Sequence, residues 1–181
     1  MKQRFLDLLK PVKRPGMDEL VHWIEPATDF FTAPASSKYH GAKEGGLMEH
    51  SIAVYERLKS MPLDISFETT VICALFHDIC KANFYKTEMR NRKNESGQWE
   101  KYPCYIIDDQ LPYGHGEKSV FIISQFIHLS IDEAMAIRWH MGAWNASSYT
   151  DQQALSTAIE KYPLILALQM ADQMATFWDK K

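Results

Sequence analysis

The stretch Ala74-Leu-Phe-His-Asp-Ile-Cys-Lys81 joins an apolar run to an adjacent imidazole and carboxylate. Val71, Ile72, Ala74, Leu75 and Phe76 leave little polar surface before His77 and Asp78, and Lys81 follows three residues later. A run this apolar belongs in the interior. Burying an ionisable pair there is costly unless each group finds a partner. What partners His77 and Asp78 therefore organises the rest of the chain.

The flanking sequence is helical in pattern. Phe5, Leu6, Leu8 and Leu9 mark a short first helix ended by Pro11 and Pro15, and Met17 to Ile24 marks a second, stopped near Pro26. Residues 28–39 read as irregular, with Phe30 and Phe31 available to pack. The Gly45-Gly46 pair opens a helix over Leu47–Met61 that carries His50, with Val54 and Leu58 on the same face. A further helix over Phe67–Ile79 carries His77 and Asp78 at its end. Between residues 84 and 112 the pattern becomes β-prone around the turn-forming Asn94-Glu-Ser-Gly97, which predicts a hairpin or extended excursion. Helices resume over Glu117–His128 and Ile131–Met141, the latter with a Ser130/Glu133 capping box and Gly142 as its stop. A Thr150/Gln153 capping box predicts a helix over Asp151–Tyr162, and Pro163 is placed in the first turn of the last helix, to about Trp178.

Composition narrows the class. The 181 residues are one domain by size, with 46% hydrophobic and 24% charged residues, as in an ordinary globular chain. A net charge of -3 argues against a general nucleic-acid coat protein or a polybasic membrane binder, without excluding a local basic patch. No apolar run approaches the roughly 20 residues that span a bilayer, and Asp7 interrupts the N-terminal apolar segment, so neither a membrane span nor a signal peptide is expected. Cys73, Cys80 and Cys104 are an odd number with no CxxC, which suggests reduced thiols and a cytoplasmic location.

The candidate partners appear in order along the chain: His50, His77-Asp78, His115, His140 and Asp172. Leu164 and Leu168 lie eight and four residues before Asp172, so its carboxylate is expected to point into the core, where it too needs a partner. Imidazole and carboxylate without thiolate suit Mn, Fe, Co, Ni or Zn, and the hard oxygens favour Mn or Fe over structural zinc. His50, His77, Asp78 and Asp172 would hold one divalent ion. Adding His115 and His140, with Asp78 bridging, makes room for a second at roughly 3.5–4 Å. Such a pair activates water as hydroxide near neutral pH and clamps the two oxygens of a phosphoryl displacement.

The ordered set, with Gly45-Gly-Leu-Met-Glu-His50, Leu75-Phe-His-Asp-Ile-Cys-Lys81 and the terminal Ala171-Asp172, resembles the His-Asp (HD) metal-dependent phosphohydrolase superfamily. The likeness runs from about Tyr39 to Asp172. It implies an all-α helical bundle around the metal, here with a hairpin inserted at 84–112 and an N-terminal helical extension over 1–39. It also implies hydrolysis of a phosphate ester, often of a nucleotide. His115 and His140 resemble the two-metal, phosphodiesterase-like branch. Cys80 departs from the family's usual glycine before the lysine.

Around these ligands, Asp78 and Lys81 are the expected catalytic residues, with Lys81 in reach of a phosphate oxygen or leaving group. Lys118 and Ser119 lie three and four residues after His115 and share its face if the helix starts there, and helix-start amides would favour phosphate, so both are candidate substrate contacts along with His40. Arg138 is two residues from His140 and points away from it. Each residue alone has an ordinary alternative: His50 as a core histidine, His140 favoured by a helix C-terminus, Asp172 paired with an arginine. His22 and His128 are read as structural. The aromatic and basic excursion is either a base-stacking lid or a packing or dimer surface. The reading favoured is a two-metal phosphodiesterase acting on a nucleotide, cyclic nucleotide or short oligonucleotide, with a homo-oligomer possible. Its rivals are a mononuclear nucleotide phosphatase, a catalytically silent nucleotide-binding sensor and a purely structural helical domain.

Overall fold

The computed structural model describes residues 1–178. Eight α-helices and one two-stranded sheet occur among them: α1 Lys2–Leu9, α2 Met17–Ala27, α3 Gly46–Ser60, α4 Phe67–Phe76, β1 Tyr85–Lys93, β2 Trp99–Ile107, α5 His115–Ser124, α6 Ile131–Trp139, α7 Tyr149–Lys161 and α8 Leu164–Phe177. Short 3-10 turns at Ile79–Lys81 and Gly142–Asn145 join the helices that meet at the site. The fold is mainly helical with one small hairpin, as expected.

The centre is a set of packed helices in which α3 lies against α4 and α8, and α6 against α4, α5 and α8. Every residue of α4 from Thr70 to Phe76 is buried, which accounts for its near-absence of polar residues. The first two helices complete this core. Phe5 is fully buried, its ring 5.3 Å from Phe30, 5.4 Å from Phe31 and 6.0 Å from Phe76. Arg14 then fastens the segment to α4 and α6: its guanidinium donates to Glu68, Glu133 and the His128 carbonyl, and Glu133 has no solvent exposure.

Two glycines set close approaches. A Cβ on Gly46 would lie 2.0 Å from the Gly41 carbonyl oxygen, and one on Gly116 would lie 2.2 Å from that of Arg138. The first lets the loop before α3 fold back on it. The second brings the start of α5 onto the end of α6, and hence His115 towards His140.

Several element ends differ from expectation. Helix α2 passes Pro26 by one residue and ends at Ala27, where the Thr28 hydroxyl donates to the Ile24 carbonyl. Helix α4 stops at Phe76, three residues early, since Asp78 leaves helical dihedrals (φ -106°, ψ 16°). Helix α5 starts at His115 and ends at Ser124. The cap of α7 is Ser148 with Asp151, two residues before the predicted Thr150/Gln153 pair; the Ser148 oxygen accepts from the Asp151 amide and the Asp151 carboxylate accepts from the Ser148 amide. Pro163 is the N-cap of α8. The Ser130/Glu133 box stands as predicted.

β1 and β2 pair antiparallel from Tyr85↔Ile107 to Lys93↔Trp99. Asn94 closes the turn by accepting the Ser96 and Gln98 amides on its side chain, and Gly97 takes a positive φ of 77°. No helix lies against this ribbon closely enough to bury it, and in β1 only Tyr85 is even half-buried.

Candidate metal centre

Six residues converge from five places in the chain. His50 comes from the first turns of α3, His77 and Asp78 from the end of α4, His115 from the start of α5, His140 from the end of α6 and Asp172 from the middle of α8.

The geometry centres on Asp78, which is 2% exposed. Its Oδ1 lies 2.8 Å from His115 Nε2 and 3.6 Å from His140 Nε2. Its Oδ2 lies 3.5 Å from His77 Nε2, 3.8 Å from His50 Nε2 and 2.6 Å from Lys81 Nζ. On the far side His50 Nε2 is 2.9 Å from Asp172 Oδ1. Three overlapping triplets (His50, His77, Asp172; His77, Asp78, His140; Asp78, Cys80, His115) each bring ligand atoms within 4.8 Å of one another. Asp78 and His77 each belong to two.

The imidazole tautomers are set by the backbone. His77 Nδ1 is 2.9 Å from the Ala74 carbonyl and His140 Nδ1 is 2.7 Å from that of Ile137. A carbonyl only accepts, so Nδ1 carries the proton and Nε2 turns a lone pair inward. The buried atoms His50 Nε2, His77 Nε2, Asp78 Oδ1, His115 Nε2 and His140 Nε2 have no hydrogen-bond partner, although some lie within contact distance of an oxygen. Buried polar atoms are normally satisfied. Five orphans pointing at one another are satisfied together by a cation, and ligating histidines held through Nδ1 by carbonyls are the usual second shell of such a site. The donors present fit a divalent transition metal.

Electrostatics agree with this. Burial pushes His77 down to about 3, so it is neutral at ordinary pH, the form that can ligate a metal. Burial likewise lowers His115. Burial alone would lower His140, but the Asp78 carboxylate outweighs it and raises it. Burial opposes the charge on Asp78 and Asp172, yet the Lys81 ammonium holds the first carboxyl well below the usual range, and His50 holds the second below it. For Lys81 burial is again outweighed by Asp78, so the ammonium stays charged.

A cavity of about 560 Å³ opens onto this cluster. Asp78, Lys81, His115, His140 and Asp172 form its floor, and His40 stands on the wall with its ring 5.0 Å from that of His50. Burial, and then His50, lower His40 to about 4. Tyr39 and Trp144, 81% and 86% exposed, line the mouth with Met141 and Phe177.

Not every expected residue reaches the cavity. Lys118 is buried, its ammonium paired with Asp109 and 4.7 Å from the centre of the Phe84 ring. Ser119 is fully buried, and its hydroxyl accepts the Cys80 amide at 3.3 Å. Neither lines the cavity: Lys118 is drawn to the hairpin base and Ser119 to the 3-10 turn. Arg138 pairs with Glu117 and covers the Trp139 ring, away from the site. His22 and His128 are exposed and apart from it.

Sequence reasoning passed over Trp144, Gln173 and Tyr39 on the cavity wall. Trp144, four residues after His140 in a glycine-containing turn, carried the one usable signal. Cys80 finds its place here as well: its Sγ is 3.3 Å from His115 Nδ1, so a thiol holds this imidazole where carbonyls hold those of His77 and His140. Burial raises that thiol up to about 12, which keeps it protonated.

No helix of the described residues is long and apolar enough to cross a membrane. No curated protein and no solved structure matches the chain. The family model for the HD domain matches residues 47–175, a segment that contains all six converging residues. The chain belongs to the HD domain family, whose members are generally metal-dependent phosphohydrolases.

Proposed function

We propose that this protein is a two-metal phosphodiesterase acting on a nucleotide, cyclic nucleotide or short oligonucleotide. The observation that carries the reading is the convergence of four unpartnered buried imidazole nitrogens on Asp78, both of whose oxygens face imidazoles. His50, His77, Asp78 and Asp172 would hold one ion, and Asp78, His115 and His140 the other, with Mn or Fe favoured by the carboxylate oxygens. Bound there, divalent ions supply Lewis acidity to the phosphoryl group and lower the pKa of water.

The chain's own groups do the rest. Hydrolysis places the water's OH on phosphorus and its remaining proton on the departing alkoxide as one P–O ester bond breaks. Lys81, on the cavity floor, neutralises charge on the phosphoryl oxygens or the leaving group. Neutral His40 offers an uncharged hydrogen-bonding wall, and Tyr39 and Trp144 offer flat apolar surface for a base. Lys118 and Ser119 are assigned to positioning α5.

A mononuclear phosphatase, with His115 and His140 binding the phosphate instead, is the competing reading. The His115 side chain is 26% exposed and would allow it, but that of His140 is fully enclosed. Elemental analysis of protein loaded with Mn decides between them: two equivalents are expected, and one would remove the dinuclear reading. Asp78→Ala is expected to lose both bound metal and hydrolysis of bis(p-nitrophenyl) phosphate, by about a thousandfold or more in rate. Full activity in that variant would end the proposal.

A further inference from the structure

The hairpin presents two unlike faces. Because side chains alternate, the paired rows Tyr85/Ile107, Thr87/Tyr105, Met89/Pro103, Asn91/Lys101 and Lys93/Trp99 share one face. That face carries three aromatic rings and two lysines, and no carboxylate. The opposite face has Lys86, Glu88, Arg90, Arg92, Glu100 and Tyr102, and there charges cancel locally: Arg92 pairs with Glu100 at 2.6 Å, and Lys86 with Asp108 at 3.4 Å.

In β2 solvent exposure follows the same alternation towards the tip: Trp99, Lys101 and Pro103 are exposed and Glu100, Tyr102 and Cys104 half-buried, while nearer the base Tyr105 and Ile106 are half-buried and Ile107 is exposed. β1 is exposed on both faces beyond the half-buried Tyr85. The apolar side chains are therefore displayed on the outward face, with Trp99 70%, Met89 59% and Ile107 61% exposed. Strand formation alone does not require this, since the other face could have carried them. Charge runs the same way: residues 85–107 hold five Lys or Arg and three Glu, in a chain with a net charge of -3.

Position completes the case. β1 begins four residues after Lys81, so the ribbon rises from the catalytic floor. Its first aromatic, Tyr85, lies within the electrostatic reach of both Lys81 and Asp78. Its ring stands 6.5 Å from that of Tyr105 on the same face. From Tyr85 to Lys93 the strand reaches roughly 26 Å from that floor, at about 3.3 Å per residue.

We propose that the outward face of the hairpin is a binding track for single-stranded nucleic acid, holding a strand whose scissile phosphate lies at the metal centre. Rings accept bases of any sequence by stacking, and unpaired lysines follow the phosphates. The proposal rests on the phosphodiesterase reading and narrows it to an oligonucleotide substrate. Ribo- and deoxyribonucleotide strands share this chemistry, and the test separates them.

Fluorescence anisotropy with labelled oligothymidylate and oligouridylate of about twelve nucleotides provides that test, using the full chain. Trp99→Ala is expected to weaken binding about tenfold. Lys93→Ala with Lys101→Ala is expected to flatten the dependence of log affinity on log salt by about 1.4, two phosphate contacts at about 0.7 each. All three side chains are exposed, and thermal melts of each variant confirm folding. Unchanged affinity and salt slope would overturn the track. So would light scattering that shows a dimer dissociating in Trp99→Ala without loss of oligonucleotide binding, which would make the face a self-association surface. Wild-type hydrolysis of bis(p-nitrophenyl) phosphate is measured alongside. If it succeeds while no oligonucleotide binds, the track fails and the phosphodiesterase reading survives; if it fails while Trp99-dependent binding persists, the phosphodiesterase reading fails and takes the scissile-phosphate part of the proposal with it, leaving only a strand-binding face.

Discussion

Residues 1–39 and the hairpin 85–107 both lack a candidate metal ligand, yet the fold treats them in opposite ways. The N-terminal segment is absorbed: Phe5, Leu20, Ile24 and Phe30 have no exposure, and Arg14 bonds across to α4 and α6. The hairpin stands out from the helices, with most of β1 in solvent. The first is therefore a structural wall, and Phe5 against Phe76 places it directly behind His77. The second contributes little to the core, so its sequence is free to serve a ligand. A two-stranded ribbon is marginal by itself, and this one is anchored only where its base joins the site.

The contrast can be broken most severely at Phe5. Phe5→Ala empties space among three rings and is expected to cost about 3–5 kcal/mol in urea unfolding. Metal retention is expected to fall as well, because Phe76 loses its backing next to His77. A cost below about 1 kcal/mol would show that the segment is a loose appendage.

Arg14 comes next. Arg14→Ala leaves the Glu133 carboxylate buried without its main cation, at an expected cost of about 3 kcal/mol. The pH dependence follows. Burial raises Glu133, but Arg14, the Ser130 amide and Thr69 outweigh it and hold its folded pKa below the ordinary value. Glu133 therefore stabilises the fold above its unfolded pKa of about 4.3, and this contribution is lost as pH falls through the lower folded value. Urea midpoints measured on acidification from neutral pH are expected to drop less steeply in Glu133→Gln than in wild type. Parallel curves would remove Glu133 from the acid response.

The hairpin predictions are small by construction. Replacing residues 86–106 with a short glycine-containing turn is expected to change stability by less than about 1 kcal/mol, or about 2–4 °C in melting temperature. A larger loss would mean that the ribbon supports the helices. Smallest of all, Arg92→Ala removes an exposed pair with Glu100 and is expected to cost less than about 0.5 kcal/mol.

The ligands were legible in the sequence for a local reason. His77 and Asp78 end an apolar run, and Asp172 sits on an apolar helical face, so each announced a buried polar group in need of a partner. The Ser130/Glu133 box was equally local. Thr150/Gln153 satisfied the same pattern and lost to Ser148/Asp151 two residues earlier, because neighbouring caps compete and only backbone geometry chooses. Lys118 and Ser119 do follow His115 by three and four residues, but partners distant in sequence claim them: Asp109 takes the ammonium and the Cys80 amide takes the hydroxyl.

The sequence by itself determined the helical class, the hairpin and the set of imidazoles and carboxylates, since each rests on periodicity or on burying a polar group. Only the tertiary structure decided what surrounds them. Cys80 reads as an oddity until α5 brings His115 Nδ1 to its sulfur. Trp144 and Tyr39 become a cavity mouth only when the turn after α6 meets the loop before α3. The outward face of the hairpin depends on register, which the pairing of two strands sets and neither strand carries alone.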